Sequence, residues 1–464
     1  MKVRVRIAPS PTGNLHIGTA RTAFFNWLFA QKYKGEFILR IEDTDLERSD
    51  RKYEDNIVES LKWLGLDWDG EIYRQSERPA LYETNINRLL DSGKAFWCHH
   101  TKEELEKEQK EQSERKEAPR HICEHKKTEL GKQKGQVIRL AVDENLTRII
   151  HFDDEIRGPI EWQEHLLGDF SLAKDERTPL YNLAVVADDI DMEISHVIRG
   201  EDHISNTPKQ ILIYEALGSK PPLFAHLPLI LSPNRSKLSK RRDAVSVAEY
   251  KKDYLPEALM NFMGFLGYTY GKEIISKEEM AEEFDLKKVH KSGAVFNIEK
   301  LNWLNSQYIK NLEIEKLRDL TGIKEIPENA LPLIAERLEK LSDVSNFDYF
   351  WKEPNYDSNL LDWPPRQRRA SLAKGGKNFS RSEIKNSLEE TRKIIEGWNW
   401  SDKDALRLLF DDLGKKLGDR GLVYWPFRVA LTGRDKSPDP VEIAVVLSKE
   451  EVLKRIDTAI KKLD

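Results

Sequence analysis

The run strand, helix, strand, helix in the first 66 residues constrains this chain more than any other feature. Residues 3–8 (VRVRIA) alternate, 19–33 keep helical spacing, and EFILRIED (36–43) reads as a second strand. SDRKYEDNIVESLKWLGL then sets Ile57, Leu61 and Leu64 on one helix face. Strands joined through helices pair in parallel with right-handed crossovers, so the spacing predicts an α/β fold on a parallel sheet. In such a sheet the first strand-to-helix turn is the phosphate-binding end, because helix N–H groups without partners and the helix dipole point there. Here that turn is APSPTGNLHIGT (8–19).

Pro9, Pro11 and Gly13 fix an irregular backbone in this turn, and Gly18 lets a ligand lie against the helix start. His16 can offer a hydrogen bond or charge to a phosphate oxygen, although His-x-Gly alone reads equally as a capping or packed histidine. A second element, SKLSKRR (236–242), sets Lys237 and Lys240 around Ser239 in a loop after the strand-like LPLILS. Alone it is a solvated loop. At opposite ends of one α/β domain, the two elements predict a triphosphate clamp, which positions and neutralises a transferring phosphorus centre.

With 464 residues the chain exceeds one ordinary core, and several domains are expected. No apolar run approaches the roughly 20 residues of a membrane helix, and KVRVRIAPS after Met1 lacks the apolar core of a signal peptide. Two cysteines exclude a disulfide scaffold, so a cytoplasmic protein without a membrane partner is expected. The net charge of −5 does not mark a nucleic-acid binder, yet RQRRASLAKGGKNFSR (366–381) carries six basic residues and no acid. That stretch reads either as a solvated linker or as a contact to a nucleic-acid backbone.

From about residue 76 the pattern changes. TKEELEKEQKEQSERKEAP opens with a capping box, Thr101 to Glu104, and stops at Pro119, as an exposed charged helix would. Strand candidates follow at QVIRLAV and TRIIHF; MEISHVIRG (192–200) and a helix from Thr207 to Leu217 resume the earlier pattern. Residues 76–187 therefore read as an insertion between two halves of one sheet. Beyond 245 the spacing is helical, with another capping box from Ser276 to Glu279. Flanking the charged helix, WCHH (97–100) and CEH (123–125) supply Cys98, His100, Cys123 and His125 as two Cys-x-His pairs, with His99 an alternative to His100. Two Cys and two His are an ordinary tetrahedral zinc set, which predicts one Zn²⁺ closing a projecting loop; two metal-free pairs are the other reading.

PSPTGNLHIGTARTAFFNWLFA, FILRIEDTD and KLSKR together resemble the bacterial-type glutamyl-tRNA synthetases, a class I aminoacyl-tRNA synthetase family. His16 to Thr19 resembles the family's HIGH motif and Lys237 to Arg241 its KMSKS motif. HVIRGEDHISNTPKQILIYEALG, GAVFNIEKLNWLNSQYI and FRVALTG extend the resemblance across residues 6–433. It implies a Rossmann-type catalytic domain (1–75 and 188–245) with an inserted acceptor-end-binding domain (76–187). A stem-contact domain (246–310) and two all-α anticodon-binding domains (311–375 and 376–464) would follow. The implied reaction activates L-glutamate with Mg²⁺-bound ATP to glutamyl-adenylate and transfers the glutamyl group to the 3′ end of tRNA-Glu. A monomer is implied.

By the same resemblance, ATP would be held by Pro9, Ser10, Gly13, His16, Gly18, Thr19, Lys237, Leu238, Ser239, Lys240 and Arg241. His16, Gly18, Lys237 and Lys240 would act at the phosphates. Arg6 would bind the substrate's side-chain carboxylate, and a bidentate guanidinium suits that task. Glu42, with Ser10, would meet the α-amino group; Tyr181 and Arg199 would complete the pocket. Some members carry zinc in the insertion, usually with a second cysteine at the place of His100. This chain departs from the family at Asp243, where glycine is usual, in KDERTPLY, which lacks a customary glycine, and at Leu180, where threonine is usual. The alternatives are a non-discriminating enzyme that also charges tRNA-Gln, the sister glutaminyl family, which APSPTG and RIEDTD disfavour, and a non-catalytic tRNA-binding paralogue. A paralogue of that kind should have lost His16 or the lysine pair, and this chain keeps both. Trp398, Trp400 and Trp425 read as core rather than as stacking platforms for bases.

Overall fold

The computed structural model describes residues 2–45, 47–143, 147–236, 238, 246–363, 379–400 and 402–464. Lys237, Ser239, Lys240, Arg241 and Asp243, and residues 366–378 of the basic stretch, lie outside the described residues. The chain forms two compact units, Met1–Leu304 and Asn305–Asp464.

In the first unit, β1 (Arg4–Ile7) pairs in parallel with β2 (Glu36–Ile41), and β2 with β3 (Tyr73–Arg74). The crossover helix α1 (Ile17–Tyr33) is buried on nearly every side, which explains its apolar composition. Phe24, Phe25 and Leu28 are wholly buried and centre one core; truncating such a phenylalanine costs about 3–5 kcal/mol. Helices α2 (Arg51–Trp63) and α3 (Pro79–Asp91) follow, the first capped by Asp50.

Residues 95–173 feed two different sheets. Strands β4 (Ala95–Cys98), β5 (Val137–Leu140) and β8 (Ser171–Ala173) form a small antiparallel sheet of their own. The hairpin of β6 (Ile149–Asp154) and β7 (Gly158–Gln163) instead joins β9 (His196–Gly200) and β10 (Leu223–Leu227), with β10 between β6 and β9. This mixed sheet meets the parallel β1–β2–β3 sheet where Ser195 N donates to the Arg4 carbonyl (2.9 Å) and Arg4 N to Ser195 Oγ (2.8 Å). Helix α4 (Lys102–Glu114) carries the anticipated capping box and exposes every residue fully or partly except Gln112. It ends five residues before Pro119, so the proline sits in the exit loop and does not stop the helix. Helices α5 (Tyr181–Asp191) and α6 (Thr207–Ala216) pack into a second core with Tyr82, Leu183 and Ile213. LPLILS is no single strand. Pro228 ends β10, and β11 (Ile230–Leu231) pairs away from the main sheet with β12 (Ala294–Val295).

The second unit is helical among its described residues, with its longest helices at Arg381–Gly397, Lys403–Leu417, Gly421–Thr432 and Lys449–Lys461. Pro426 lies inside one of them and supplies no N–H to the carbonyl of Leu422. Buried Ser387 donates its hydroxyl to that carbonyl instead, at 2.8 Å. Trp398 is buried and donates to Asp402 O, and Trp425 donates to Leu360 O, so both indoles are tied into the fold.

Candidate active site and metal cluster

The opening turn is held open by backbone bonds: Glu42 N donates to Pro9 O and Asp50 N to Pro11 O, each at 3.0 Å. His16 is the N-cap of α1, and its Nδ1 accepts from Gly18 N at 2.9 Å. A backbone N–H only donates, so Nδ1 is unprotonated and Nε2 carries the ring proton. The capping and phosphate-donor readings of His16 thus coexist in one tautomer. A Cβ on Gly18 would come within 3.1 Å of that Nδ1, so a side chain there presses on the cap. Beyond the KLSKR stretch the chain returns to this turn, with Ser246 bridged to His16 and Val247 N donating to Leu15 O.

A cavity of about 340 Å³ opens over these elements. Arg6, Pro9, Ser10, His16, Gly18, Thr19, Glu42, Tyr181, Arg199 and Leu238 line it, and Gly13 lines an adjoining one of about 170 Å³. The two cavities share Pro9, Ser10, His16 and Thr19. Every described residue singled out for ATP or amino-acid binding therefore lines this cavity or, for Gly13, the adjoining one.

Arg6 and Arg40 are buried strand arginines that share one carboxylate. Arg6 Nε and Nη2 donate to the two oxygens of Asp189 at 3.1 and 3.2 Å, and Arg40 Nη1 to Oδ1 at 2.6 Å. Burial alone would raise the Asp189 pKa; Arg6 and Arg40 outweigh it and hold this carboxyl below the usual range. Arg40 Nη2 also holds Glu42 Oε1 at 3.1 Å. There burial wins and pushes the Glu42 carboxyl up despite Arg40 and Arg6. Arg199, by contrast, has no ion-pair partner among the described residues, and its pKa is lowered, first by burial. His203, bonded to Tyr181 Oη at 3.0 Å, is pushed down to about 4 by burial and by the Arg199 charge, and is neutral near pH 7. A buried cation without an ion-pair partner among the described residues, beside a carboxyl that burial pushes up, suits a ligand that carries both charges.

Sequence reasoning missed the supporting shell. Arg40 in FILRIE offered the same signal as Arg6 in VRVRIA, an arginine inside an apolar strand. Asp188 and Asp189 likewise stood out as adjacent acids in the apolar helix NLAVVADDID. The Leu180 departure has a visible consequence: it occupies the N-cap of α5 and offers no side-chain cap.

Cys98 and Cys123 are free, wholly buried thiols. Cys98 Sγ lies 3.5 Å from His100 Nδ1 and 3.7 Å from His121 Nε2; Cys123 Sγ lies 3.6 Å from His100 Nδ1 and 3.3 Å from His125 Nδ1. One ligand atom each from Cys98, His100, His121 and Cys123 falls within a sphere of mutual distances under 4.8 Å. Three of the four anticipated residues belong to that group, with His121 as its fourth member; His125 groups with His100 and Glu124 instead. His99 turns its Nε2 to the carbonyls of Leu130 and Gln133. His121 was overlooked although HICEH (121–125) repeats a histidine two residues to either side of Cys123. Its Nδ1 meets Glu108 Oε2 of α4 at 2.6 Å, which orients Nε2 towards the thiols.

Comparison with known proteins agrees with this geometry. The family description "tRNA synthetases class I (E and Q), catalytic domain" matches residues 2–303, and "Anticodon binding domain" matches 286–460. The chain is 39% identical to a glutamate–tRNA ligase of Desulforamulus reducens over 99% of its length and 100% of the relative. It is 44% identical to one from Synechococcus sp. over 95% of each. A crystal structure of a glutamate tRNA ligase from Elizabethkingia meningosepticum, in complex with its amino acid, covers 100% of both chains with a TM-score of 0.84 and 32% identity. Likeness of this extent, over both units, places the chain in the bacterial glutamate–tRNA ligase family of class I aminoacyl-tRNA synthetases.

Proposed function

We propose that the cavity binds L-glutamate and MgATP and that the chain ligates glutamate to tRNA-Glu in two steps. A glutamate α-carboxylate oxygen attacks the α-phosphorus of ATP, the bond to the β-phosphate oxygen breaks, and pyrophosphate leaves. The terminal ribose hydroxyl of the tRNA then attacks the adenylate's carbonyl carbon and AMP departs. Arg6, Tyr181 and Arg199 take the side-chain carboxylate, and Glu42 with Ser10 takes the ammonium group. His16 Nε2 and the amides at the start of α1 meet the phosphates, while Lys237 and Lys240 neutralise the charge that develops as pyrophosphate leaves.

The observation that carries this reading is the cavity itself: Arg199, which has no ion-pair partner among the described residues, and Glu42, paired with Arg40, line it together with Arg6 and Tyr181. No nucleophilic side chain is required, since the substrates supply both nucleophiles. Pyrophosphate exchange with glutamate, followed by aminoacylation of purified tRNA-Glu and tRNA-Gln, tests it. Exchange with glutamine in place of glutamate would refute the carboxylate assignment, and charging of tRNA-Gln would make the enzyme non-discriminating.

The reading extends to a zinc ion on Cys98, His100, His121 and Cys123, whose spacing and soft donors fit a closed structural site. Bound there, Zn²⁺ would tie β4, α4 and the 121–125 segment together and hold residues 76–187 for the tRNA acceptor end. Residues 311–464 would read the anticodon. The chain would work as a cytoplasmic monomer. No helix of the described residues is long and apolar enough to cross a membrane.

A further inference from the structure

Arg6 and Arg199 are held by opposite means. Arg6 rests on a carboxylate that it shares with Arg40, whereas Arg199 rests on an imidazole. Arg199 Nε lies 3.2 Å from His226 Nε2, and its Nη2 donates to Thr207 Oγ1 at 2.8 Å. Nη1 is buried without a hydrogen-bond partner, on a side chain that lines the cavity. His226 is wholly buried in β10, and its Nδ1 lies 2.6 Å from Asp154 Oδ2 in β6. Asp154 is fixed in turn: its Oδ1 accepts from Ile156 N at 3.0 Å and Arg157 N at 2.8 Å, and its carboxylate also accepts from His226 N.

The ring has three polar side-chain neighbours, Asp154 at Nδ1 and both Arg199 Nε and Thr207 Oγ1 (3.2 Å) at Nε2; the hydroxyl can donate or accept, so Asp154 and Arg199 set the protonation state. The Asp154 carboxylate only accepts, so Nδ1 bears a proton. The Arg199 Nε–H only donates, so Nε2 bears none. The ring is neutral and polarised from Asp154 towards Arg199. Phe224 lies parallel to it, with planes 11° apart, and the Arg199 guanidinium stands over the same phenyl ring at 5.8 Å.

We propose that His226 is a positioning residue for glutamate recognition: as an Nδ1–H imidazole anchored by Asp154, it fixes the Arg199 guanidinium without neutralising it. A carboxylate of its own in that place would have cancelled the charge, whereas the single carboxylate of Asp189 is divided between Arg6 and Arg40. A neutral acceptor keeps the cation available, so that the anion it lacks is the side-chain carboxylate of the substrate. The strand pair β6–β10 thereby couples residues of the 76–187 segment to amino-acid selection. This inference rests on the assignment of Arg199 to the substrate carboxylate.

Pyrophosphate exchange measured with Arg199→Ala, His226→Ala and His226→Gln separates the two claims. Arg199→Ala should raise the KM for glutamate steeply. His226→Ala should raise it about ten- to a hundredfold, the loss of one hydrogen bond to a charged group, with the KM for ATP unchanged. His226→Gln, whose amide oxygen can accept from Arg199 Nε, should recover part of the loss. An unchanged glutamate KM in Arg199→Ala would overturn the pocket assignment and this inference with it. A raised KM in Arg199→Ala with none in His226→Ala would overturn the inference alone, as would a parallel rise in the KM for ATP. Should the His226 variants not fold, the histidine ¹⁵N spectrum of the unsubstituted protein decides. A neutral Nδ1–H ring at position 226 near pH 7 supports the inference, and an Nε2–H ring or an imidazolium overturns it.

Discussion

The amino-acid cavity and the Cys/His cluster are both polar nests in the first unit, and the chain assembles them in opposite ways. The cavity gathers Arg6, Glu42, Tyr181 and Arg199 from four separated stretches, each carried on or beside its own strand or helix end. The cluster draws on residues 98–123 alone, in one excursion from the end of β4 through α4 and back. In the cavity Arg6 and Glu42 are oriented by buried ion pairs, and Arg199 by hydrogen bonds to His226 and Thr207. In the cluster the thiols and imidazoles face one another at 3.5–3.7 Å, with the carboxylates of Glu108 and Glu124 on the outer sides of His121 and His100. One site is preorganised by the fold. The other gains its rigidity from the ion it is proposed to bind.

The contrast is broken most forcefully at Asp189. Asp189→Ala leaves Arg6 and Arg40 buried with one shared counter-charge removed, and the unfolding transition of the first unit in urea should fall by about 3–5 kcal/mol. An unaltered transition would mean that the arginines are held by packing alone. Lys240→Ala comes next: loss of a charge contact made chiefly in the transition state should lower kcat for adenylate formation by about 3 kcal/mol, with the KM for glutamate unchanged. An unchanged kcat with a raised KM would move Lys240 from transition-state stabilisation to ground-state binding.

Removal of metal should act on one side of the comparison only. Metal analysis should find about one zinc per chain, lost in the Cys98→Ser, Cys123→Ser variant or with a strong chelator. Hydrogen exchange should then quicken in residues 98–135, while pyrophosphate exchange keeps its starting rate. His121→Ala should release zinc and His125→Ala should retain it; the reverse order would make His125 the fourth ligand. The smallest effect concerns the support of Tyr181. Leu180→Thr gives α5 the N-cap it lacks and should raise stability by about 1 kcal/mol in the same urea titration, without touching the cavity. No gain would show that the cap is met by other means.

Sequence alone determined the parallel strand–helix opening, the irregular turn that leads into α1, the capping boxes and the Cys-x-His pairs. These are signals of local period and spacing, and local backbone physics fixes them wherever they fold. It also brought out Arg6 and His16, because an arginine in an apolar strand or a histidine at a helix start is anomalous by itself; Glu42, Tyr181 and Arg199 came from the family resemblance. The tertiary structure alone decided what each of those residues rests on. Asp189 under Arg6, His226 under Arg199, and His121 in place of His125 depend on side chains from distant segments meeting in a low-dielectric interior. The sheet membership of β6 and β7 and the departure of β11 at Pro228 were set in the same way, by which strand edge lay open once the cores had packed. Spacing along a chain records which neighbours a residue has in sequence, whereas a buried charge is stabilised by neighbours in space, and only the folded chain brings those together.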